Sequence, residues 1–253
     1  MALFEDKVFA ISGGASGMGL AVAKLLASRG ARITIADWQE QALSDAAAAI
    51  EQSSSSSLKP AVLTHKVDVR STEQVDAWIK EAIQTFGRLD GAANMAGIAG
   101  RMGAAGVKDQ DDDDWELTIG INLTGLMHCL RAQLRVLTHG GSIVNAASTA
   151  GLHGAQHAAP YAASKHGVIG LSRSAAKEVG IQGIRVNCIA PGPISTPLFH
   201  GTKDIDHDYI REMTALKRVG EPEEAAALVA FLLGDDSKYI TGAVYVIDGG
   251  IVC

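Results

Sequence analysis

The sequence predicts an α/β protein built on a doubly wound, parallel sheet of seven strands, with helices on both faces. Strand-like and helix-like segments alternate along all 253 residues, the pattern of repeated βαβ units. Several strand runs (VFAI, IVNAA, VYVI) are almost continuously apolar, as strands buried on both faces must be. Right-handed crossovers then place helices on both sides of the sheet.

Val8–Ser12 is a short apolar run that breaks into glycines, and Leu20–Arg29 follows with helical spacing of Leu20, Ala23, Leu26 and Ala27. Ile33–Ala36 reads as strand, Gln39–Glu51 as an alanine-rich helix, Ala61–Val69 as strand and Thr72–Phe86 as helix. Leu89–Gly97 is strand, Asp114–Leu137 one long helix and Ser142–Ala147 strand. Tyr161–Val179 is helix, Ile184–Ala190 strand, Pro222–Leu233 helix and Ala243–Ile247 the last strand. No Pro/Ser-rich linker divides the chain, so residues 1–253 are expected to form a single domain. Ser53–Ser57 reads as a solvated loop, and Asp111–Asp114 as a helix-capping acidic run rather than a metal site.

Composition excludes several classes. With 47% hydrophobic and 20% charged residues the chain is neither disordered nor collagen-like. A net charge of −6 without a basic cluster argues against nucleic-acid or anionic-membrane binding. No run reaches the roughly 20 apolar residues of a membrane span. Cys129, Cys188 and Cys253 lie far apart with no metal-ligand spacing, and Glu5, Asp6 and Lys7 sit where a signal peptide needs apolar residues. A cytoplasmic protein with reduced thiols and no bound metal is expected.

The first strand ends in Ser12-Gly13-Gly14-Ala15-Ser16-Gly17-Met18-Gly19, directly before a helix. Glycine there allows positive φ and lets a pyrophosphate approach backbone N–H groups, although glycines alone also make a tight strand–helix turn. Asp37 closes the second strand, 18 residues beyond Gly19, where a carboxylate accepts hydrogen bonds from an adenosine ribose; a plain capping role is the alternative. The same charge repels a 2′-phosphate, and no Lys or Arg lies between Gly13 and Ala23 to bind one. NAD(H) is therefore expected over NADP(H), which remains possible.

Tyr161-Ala162-Ala163-Ser164-Lys165 places a tyrosine and a lysine on one helix face. A phenol with pKa ≈ 10 is too weak a base at neutral pH; a nearby ammonium and a nicotinamide cation can lower it by about two to three units. Such pairs also arise by chance on amphipathic helices. Ser148 ends the preceding strand, 13 residues before Tyr161, at the carboxyl edge where α/β sites form. Asn122, a poor helix former inside the long helix, signals a local kink or a functional hydrogen bond.

These motifs together resemble the classical short-chain dehydrogenases/reductases, over essentially the whole chain from Gly13-x3-Gly17-x-Gly19 to Asp248-Gly249-Gly250. The resemblance implies a Rossmann-type fold and hydride transfer between a nicotinamide cofactor and an alcohol or ketone. It implies Tyr161 as general acid/base, Lys165 as the group that lowers its pKa and holds the nicotinamide ribose, Ser148 as orienter of the substrate oxygen, and Asn122 as support for a water-mediated relay through Lys165. On the cofactor side it implies Ser12, Gly13, Ser16, Gly17, Met18 and Gly19 around the pyrophosphate, Asp37 and Trp38 at the ribose, and Asp68-Val69 at the adenine. Asn94, Ala96 and Gly97 fall under the adenosine ribose, and Pro191, Gly192, Ile194 and Thr196 line the nicotinamide. The family usually has threonine at Ser12 and a second asparagine at Met95.

Residues 197–218 fall where this family closes over substrate, with Leu198, Phe199, Ile205, Tyr209 and Met213 as pocket or packing residues. His153 and His157 lie between Ser148 and Tyr161, and Val107–Asp114 flanks the same cleft. An apolar, cyclic secondary alcohol or ketone is the expected substrate class. The alternatives are isomerisation or cyclisation on the same fold, and a non-catalytic dinucleotide sensor. The resemblance also implies a homo-oligomer, often a tetramer built on the two long helices and the last strand.

Overall fold

The computed structural model describes residues 4–55, 61–102, 106–202 and 207–252; Ser56, Ser57, Ile205 and Cys253 fall outside them. The strands are β1 (Val8–Ser12), β2 (Arg32–Asp37), β3 (Val62–Lys66), β4 (Gly91–Asn94), β5 (Ser142–Ala146), β6 (Arg185–Pro191) and β7 (Val244–Ile247). They form one parallel sheet in the order β3-β2-β1-β4-β5-β6-β7. The helices are α1 (Gly17–Ser28), α2 (Glu40–Ser53), α3 (Thr72–Phe86), α4 (Asp112–Ile119), α5 (Gly125–Leu134), α6 (Ala159–Val179), α7 (Pro197–His200), α8 (His207–Met213) and α9 (Pro222–Leu233). This is the doubly wound, Rossmann-type architecture, and its strand order reverses between β1 and β4, which opens a crevice at their carboxyl ends.

Strand periodicity builds two cores at once. Val8 and Ala10 point to one face, where they join Val75, Trp78, Leu130, Ile143, Val168 and Val186 from α3, α5, α6 and the sheet. Phe9 and Ile11 point to the other, against Val22, Leu26, Ile33, Ile35 and Val229 from α1, α9 and β2. Each such side chain, fully buried, contributes about 1.5–3 kcal/mol. Both faces of β1 are therefore fixed, and with them the direction in which Ser12 delivers the chain to the glycine turn.

The differences from the sequence-based expectations lie at ends and interruptions. β3 is Val62–Lys66 rather than Ala61–Val69, because it is an edge strand and its chain leaves the sheet after Val67 N–H bonds the Asp37 carbonyl. β4 stops at Asn94 instead of Gly97, since the next residues peel away toward the long helix. That helix is not continuous: α4 passes through a π-helical segment, Gly120–Thr124, into α5. β5 ends at Ala146, so Ser148 lies beyond the strand and caps a 3₁₀ turn, Thr149–Gly151. Asp111 accepts a hydrogen bond from Asp114 N at 2.8 Å, a helix cap as expected for the acidic run. Among the described residues no helix is long and apolar enough to cross a membrane.

A buried polar contact joins α3 to the sheet: Trp78 Nε1 donates to Thr34 Oγ1 at 2.8 Å. Thr34→Val keeps the volume but strands the indole N–H, so unfolding free energy is expected to fall by about 1–3 kcal/mol. Urea unfolding should show a lower midpoint with an unchanged slope; an unchanged midpoint would show that the bond contributes nothing.

Candidate active site

The glycine turn fits an anionic ligand. Gly13 and Gly17 take φ of +65° and +50°, and a Cβ on Gly13 would lie 2.7 Å from Ala96 N. Ser16 at the N-cap of α1 makes no side-chain capping bond, and no acidic residue stands in the first turn. The opening N–H groups at Gly17, Met18 and Gly19, with the positive end of the helix dipole, thus face the crevice without a side-chain partner. Asp37 is buried, accepting from Ala15 N and Gln39 N, each at 3.2 Å, which fixes its carboxylate beside the turn. Trp38 next to it is 71% exposed. Thr196 closes over the opposite side, 3.2 Å from where a Cβ on Gly17 would sit. Its neighbours Ile194 and Gly192 are held by the Thr196 hydroxyl and by the Ile247 carbonyl, directly after Pro191. Backbone donors, a glycine cradle and a fixed carboxylate are what a dinucleotide's pyrophosphate and ribose require.

Asn94 is committed to the fold. Its amide exchanges two hydrogen bonds with Gln133, at 2.8 and 2.9 Å, and donates to Asn145 Oδ1 at 2.9 Å, tying β4 to β5 and α5. Met95 replaces a second amide with an apolar contact: its side chain packs on the α1–β2 core while its N–H donates to the Ser12 carbonyl at 3.0 Å. Asp68 is gripped by Arg70, whose backbone N, Nε and Nη2 lie 2.6–3.0 Å from the carboxylate oxygens. Those bonds hold the Asp68 carboxyl below its ordinary pKa.

The four expected catalytic residues converge at the carboxyl edge of β4 and β5. Lys165 is 5% exposed, with Nζ donating to the Ala146 carbonyl at 2.8 Å and lying 5.5 Å from the Tyr161 ring centroid. Burial pushes its ammonium down to about 8. A Cβ on Gly97 would stand 3.4 Å from that Nζ and 3.2 Å from Asn122 Oδ1, so the β4 loop passes directly beneath both groups. Tyr161 is half-buried; burial raises its pKa, and a hydrogen bond with Ser148 pulls it partly back. This is opposite in sign to the lowering expected beside Lys165, because desolvation dominates here. Ser148 Oγ accepts from Ala150 N at 3.2 Å, and its own hydroxyl is directed to the Tyr161 oxygen.

Asn122 sits in the π segment, which explains an asparagine inside a helix. Its Oδ1 accepts from Ile98 N (2.8 Å), and its Nδ2 donates to Ile98 O (2.9 Å) and Ser164 Oγ (3.1 Å). Ser164 in turn donates to the Tyr161 carbonyl at 2.7 Å. The amide nitrogen thus has both protons engaged, and Asn122 acts as a clamp between the β4 loop and α6. Sequence reasoning passed over Ser164 and Gln133; the signal was a polar side chain at helix positions that face the core.

The flanking segments are more open. His153 and His157 are exposed, and His157 adopts a φ of +56°. Val107 is exposed on a 3₁₀ turn before α4. Among the described residues of 197–218, Leu198 on α7, Tyr209 and Met213 on α8, and Leu216 beyond α8 are each more than two-fifths exposed, with Phe199 half-buried. Cys129 and Cys188 are buried free thiols pushed up to about 12 and about 11 by desolvation, far from reactive values. Among the described residues no cluster of three His, Cys, Asp or Glu is arranged to hold a metal ion.

Residues 13–252 match the family described as enoyl-(acyl carrier protein) reductase. The chain is 51% identical to the short-chain dehydrogenase/reductase aba4 of Botryotinia fuckeliana, over 99% of this chain and 98% of that one. It is 38% identical to levodione reductase of Leifsonia aquatica, covering 98% and 94% of the two chains. It is 36% identical to cyclohexanol dehydrogenase of an Acinetobacter species, covering 97% and 95%. The crystal structure of levodione reductase superposes with a TM-score of 0.91 at 37% identity, covering 97% of each chain.

Lys165 makes a stability prediction whose sign follows from its pKa. The folded value, about 8, lies below the free value of 10.5, so the buried charge destabilises the fold fully below pH 8 and the cost fades as pH rises toward 10.5. Lys165→Met is expected to gain about 1–3 kcal/mol at pH 6.5, after the loss of the Ala146 bond, with the gain shrinking toward pH 10. Denaturant unfolding across that range checks it; a loss of stability at pH 6.5 with no pH trend would contradict it.

Proposed function

The chain belongs to the short-chain dehydrogenase/reductase family, and from that premise we propose that it is a nicotinamide-dependent oxidoreductase interconverting a secondary alcohol and its ketone. The observation that carries the reading is the convergence of Tyr161, Ser148, Lys165 and Asn122 beside a crevice whose glycine turn suits a pyrophosphate. Residues 1–253 act as one catalytic domain, with 197–218 covering the substrate.

When bound, the nicotinamide accepts or donates a hydride; the protein's own residues manage the proton and the oxygen. Ser148 donates a hydrogen bond to the substrate oxygen, in both directions, and orients it toward Tyr161. In oxidation Tyr161 takes the alcohol proton as phenolate; in reduction it returns one to the carbonyl oxygen. The Lys165 ammonium, 5.5 Å from the ring centroid, favours that phenolate by charge attraction. Lys165 has two N–H donors beyond the one given to Ala146, suited to the ribose diol above Gly97. Asn122 holds Ile98 and Ser164, and through them the spacing between the β4 loop and Tyr161.

Asp37 favours NAD(H) over NADP(H), since its fixed carboxylate stands where a 2′-phosphate would be placed. Asp68-Val69 lies at the adenine and Trp38 beside the ribose. Two relatives are named for levodione and cyclohexanol, and the exposed Leu198, Tyr209 and Met213 suit an apolar cover. An apolar cyclic alcohol or ketone is the substrate class proposed. A cytoplasmic homotetramer completes the reading.

With cyclohexanol as probe substrate, Tyr161→Phe is expected to lower turnover by about 10²–10⁴-fold while the NADH dissociation constant stays within about twofold. Retained turnover would remove Tyr161 from the chemistry. Fluorescence titration should show NADH binding at least about tenfold tighter than NADPH, and Asp37→Ala should narrow that gap. Equal affinities in the unaltered protein would overturn the role given to Asp37.

A further inference from the structure

We propose that His128 is a positioning residue for the adenine end of the cofactor site: its Nδ1–H, donated to the Val69 carbonyl, fastens the Asp68–Arg70 loop to α5. The proposal rests on the dinucleotide reading above and extends it to a residue outside the crevice.

His128 is 8% exposed on α5, with Nδ1 3.0 Å from Val69 O. A carbonyl only accepts, so the ring proton resides on Nδ1 and the tautomer is fixed by this contact. The residues one turn before and one turn after lie on the same face of α5 and grip the same stretch of chain. Gly125 allows close approach, since a Cβ there would stand 2.6 Å from Val69 Cγ2. Arg131 donates to Thr72 Oγ1 at 3.1 Å, at the first residue of α3. Gly125, His128 and Arg131 thus form a stripe along residues 69–72.

The other hydrogen bonds of the loop are local. Asp68 N donates to Gln74, Ser71 N donates to the Asp68 carbonyl, and Arg70 bonds Asp68. The sheet ladder has ended at Lys66, with one more bond from Val67 N to the Asp37 carbonyl. Among the described residues the His128 bond is therefore the one that ties the loop's backbone across to α5. Val69 also lines a cavity of about 10 Å³ together with Ser12, Asn94 and Ala96, so its placement sets the floor beneath the nucleotide crevice. A loop released from His128 loses its registration to that floor while the catalytic residues on α6 keep their own contacts.

The test uses the full chain and two half-cofactors, ADP and nicotinamide mononucleotide, alongside NADH. His128→Leu is expected to weaken ADP and NADH binding about tenfold and to leave nicotinamide mononucleotide binding within about twofold. His128→Asn, whose Nδ2–H reaches a carbonyl at similar distance, should recover most of the loss. A general packing defect would weaken both half-cofactors together and would not be rescued, and either result overturns the proposal. On the unaltered protein, ¹⁵N resonances of the His128 ring should report protonated Nδ1 and move when ADP is added; an Nε2-protonated or unresponsive ring also overturns it. Failure of the unaltered protein to bind ADP, NADH and NADPH would overturn the dinucleotide reading itself, whereas normal binding by His128→Leu removes only the role of His128.

Discussion

An ammonium group buried at the carboxyl edge of a parallel sheet sets the terms for everything around it. Lys165 carries its charge to a place where water cannot solvate it, and burial alone shifts its pKa from 10.5 to about 8, a cost of about 3 kcal/mol. The fold answers with the Ala146 carbonyl at the end of β5 and with a glycine at position 97 that lets the β4 loop lie against the Nζ. Moving any of these elements by an ångström would leave the charge without its acceptor. The termination of β5 at Ala146 and the packing of the Thr149–Gly151 turn on Lys165 serve one geometric requirement.

The π segment in the middle of the long helix is the second element of that requirement. A regular helix there would carry Asn122 past the β4 loop; the wider turn lets one amide engage both Ile98 backbone groups and Ser164. A second chain of amides runs deeper, from Gln133 through Asn94 and Asn145 to Ser172 on α6. Each member is buried and hydrogen-bonded, which makes the network rigid as well as stable. Helix α6 is thus registered to the sheet at two depths, and Tyr161 inherits its position from both.

Much of this was legible in the sequence because it rests on strong, local rules. The alternation of strand-like and helix-like segments, three of the strand runs almost continuously apolar, identified the seven parallel strands, and the glycines after Ser12 marked the turn. The helical spacing of Tyr161 and Lys165 placed them on one face. What escaped depends on tertiary contacts. Nothing in the spacing of residues 114–137 marks where a helix widens, although Asn122 pointed to a kink. Met95 could not be interpreted until its side chain was seen packed against the α1–β2 core. The upward shift of Tyr161 was missed because proximity to Lys165 was visible in the sequence and desolvation was not. His128 carried no signal, since its partner is a backbone carbonyl 59 residues away.

The central claim is that Lys165 turns the half-buried Tyr161 phenol into a base once cofactor is present. The chain has four tyrosines, so tyrosinate absorbance of the unaltered protein minus that of Tyr161→Phe isolates the one of interest. Titrated alone, that difference should show ionisation above the ordinary phenol value; with saturating NAD⁺ it should fall by about two to three pKa units. In Lys165→Met the fall should largely disappear. An ionisation that ignores both the cofactor and Lys165 would contradict the account.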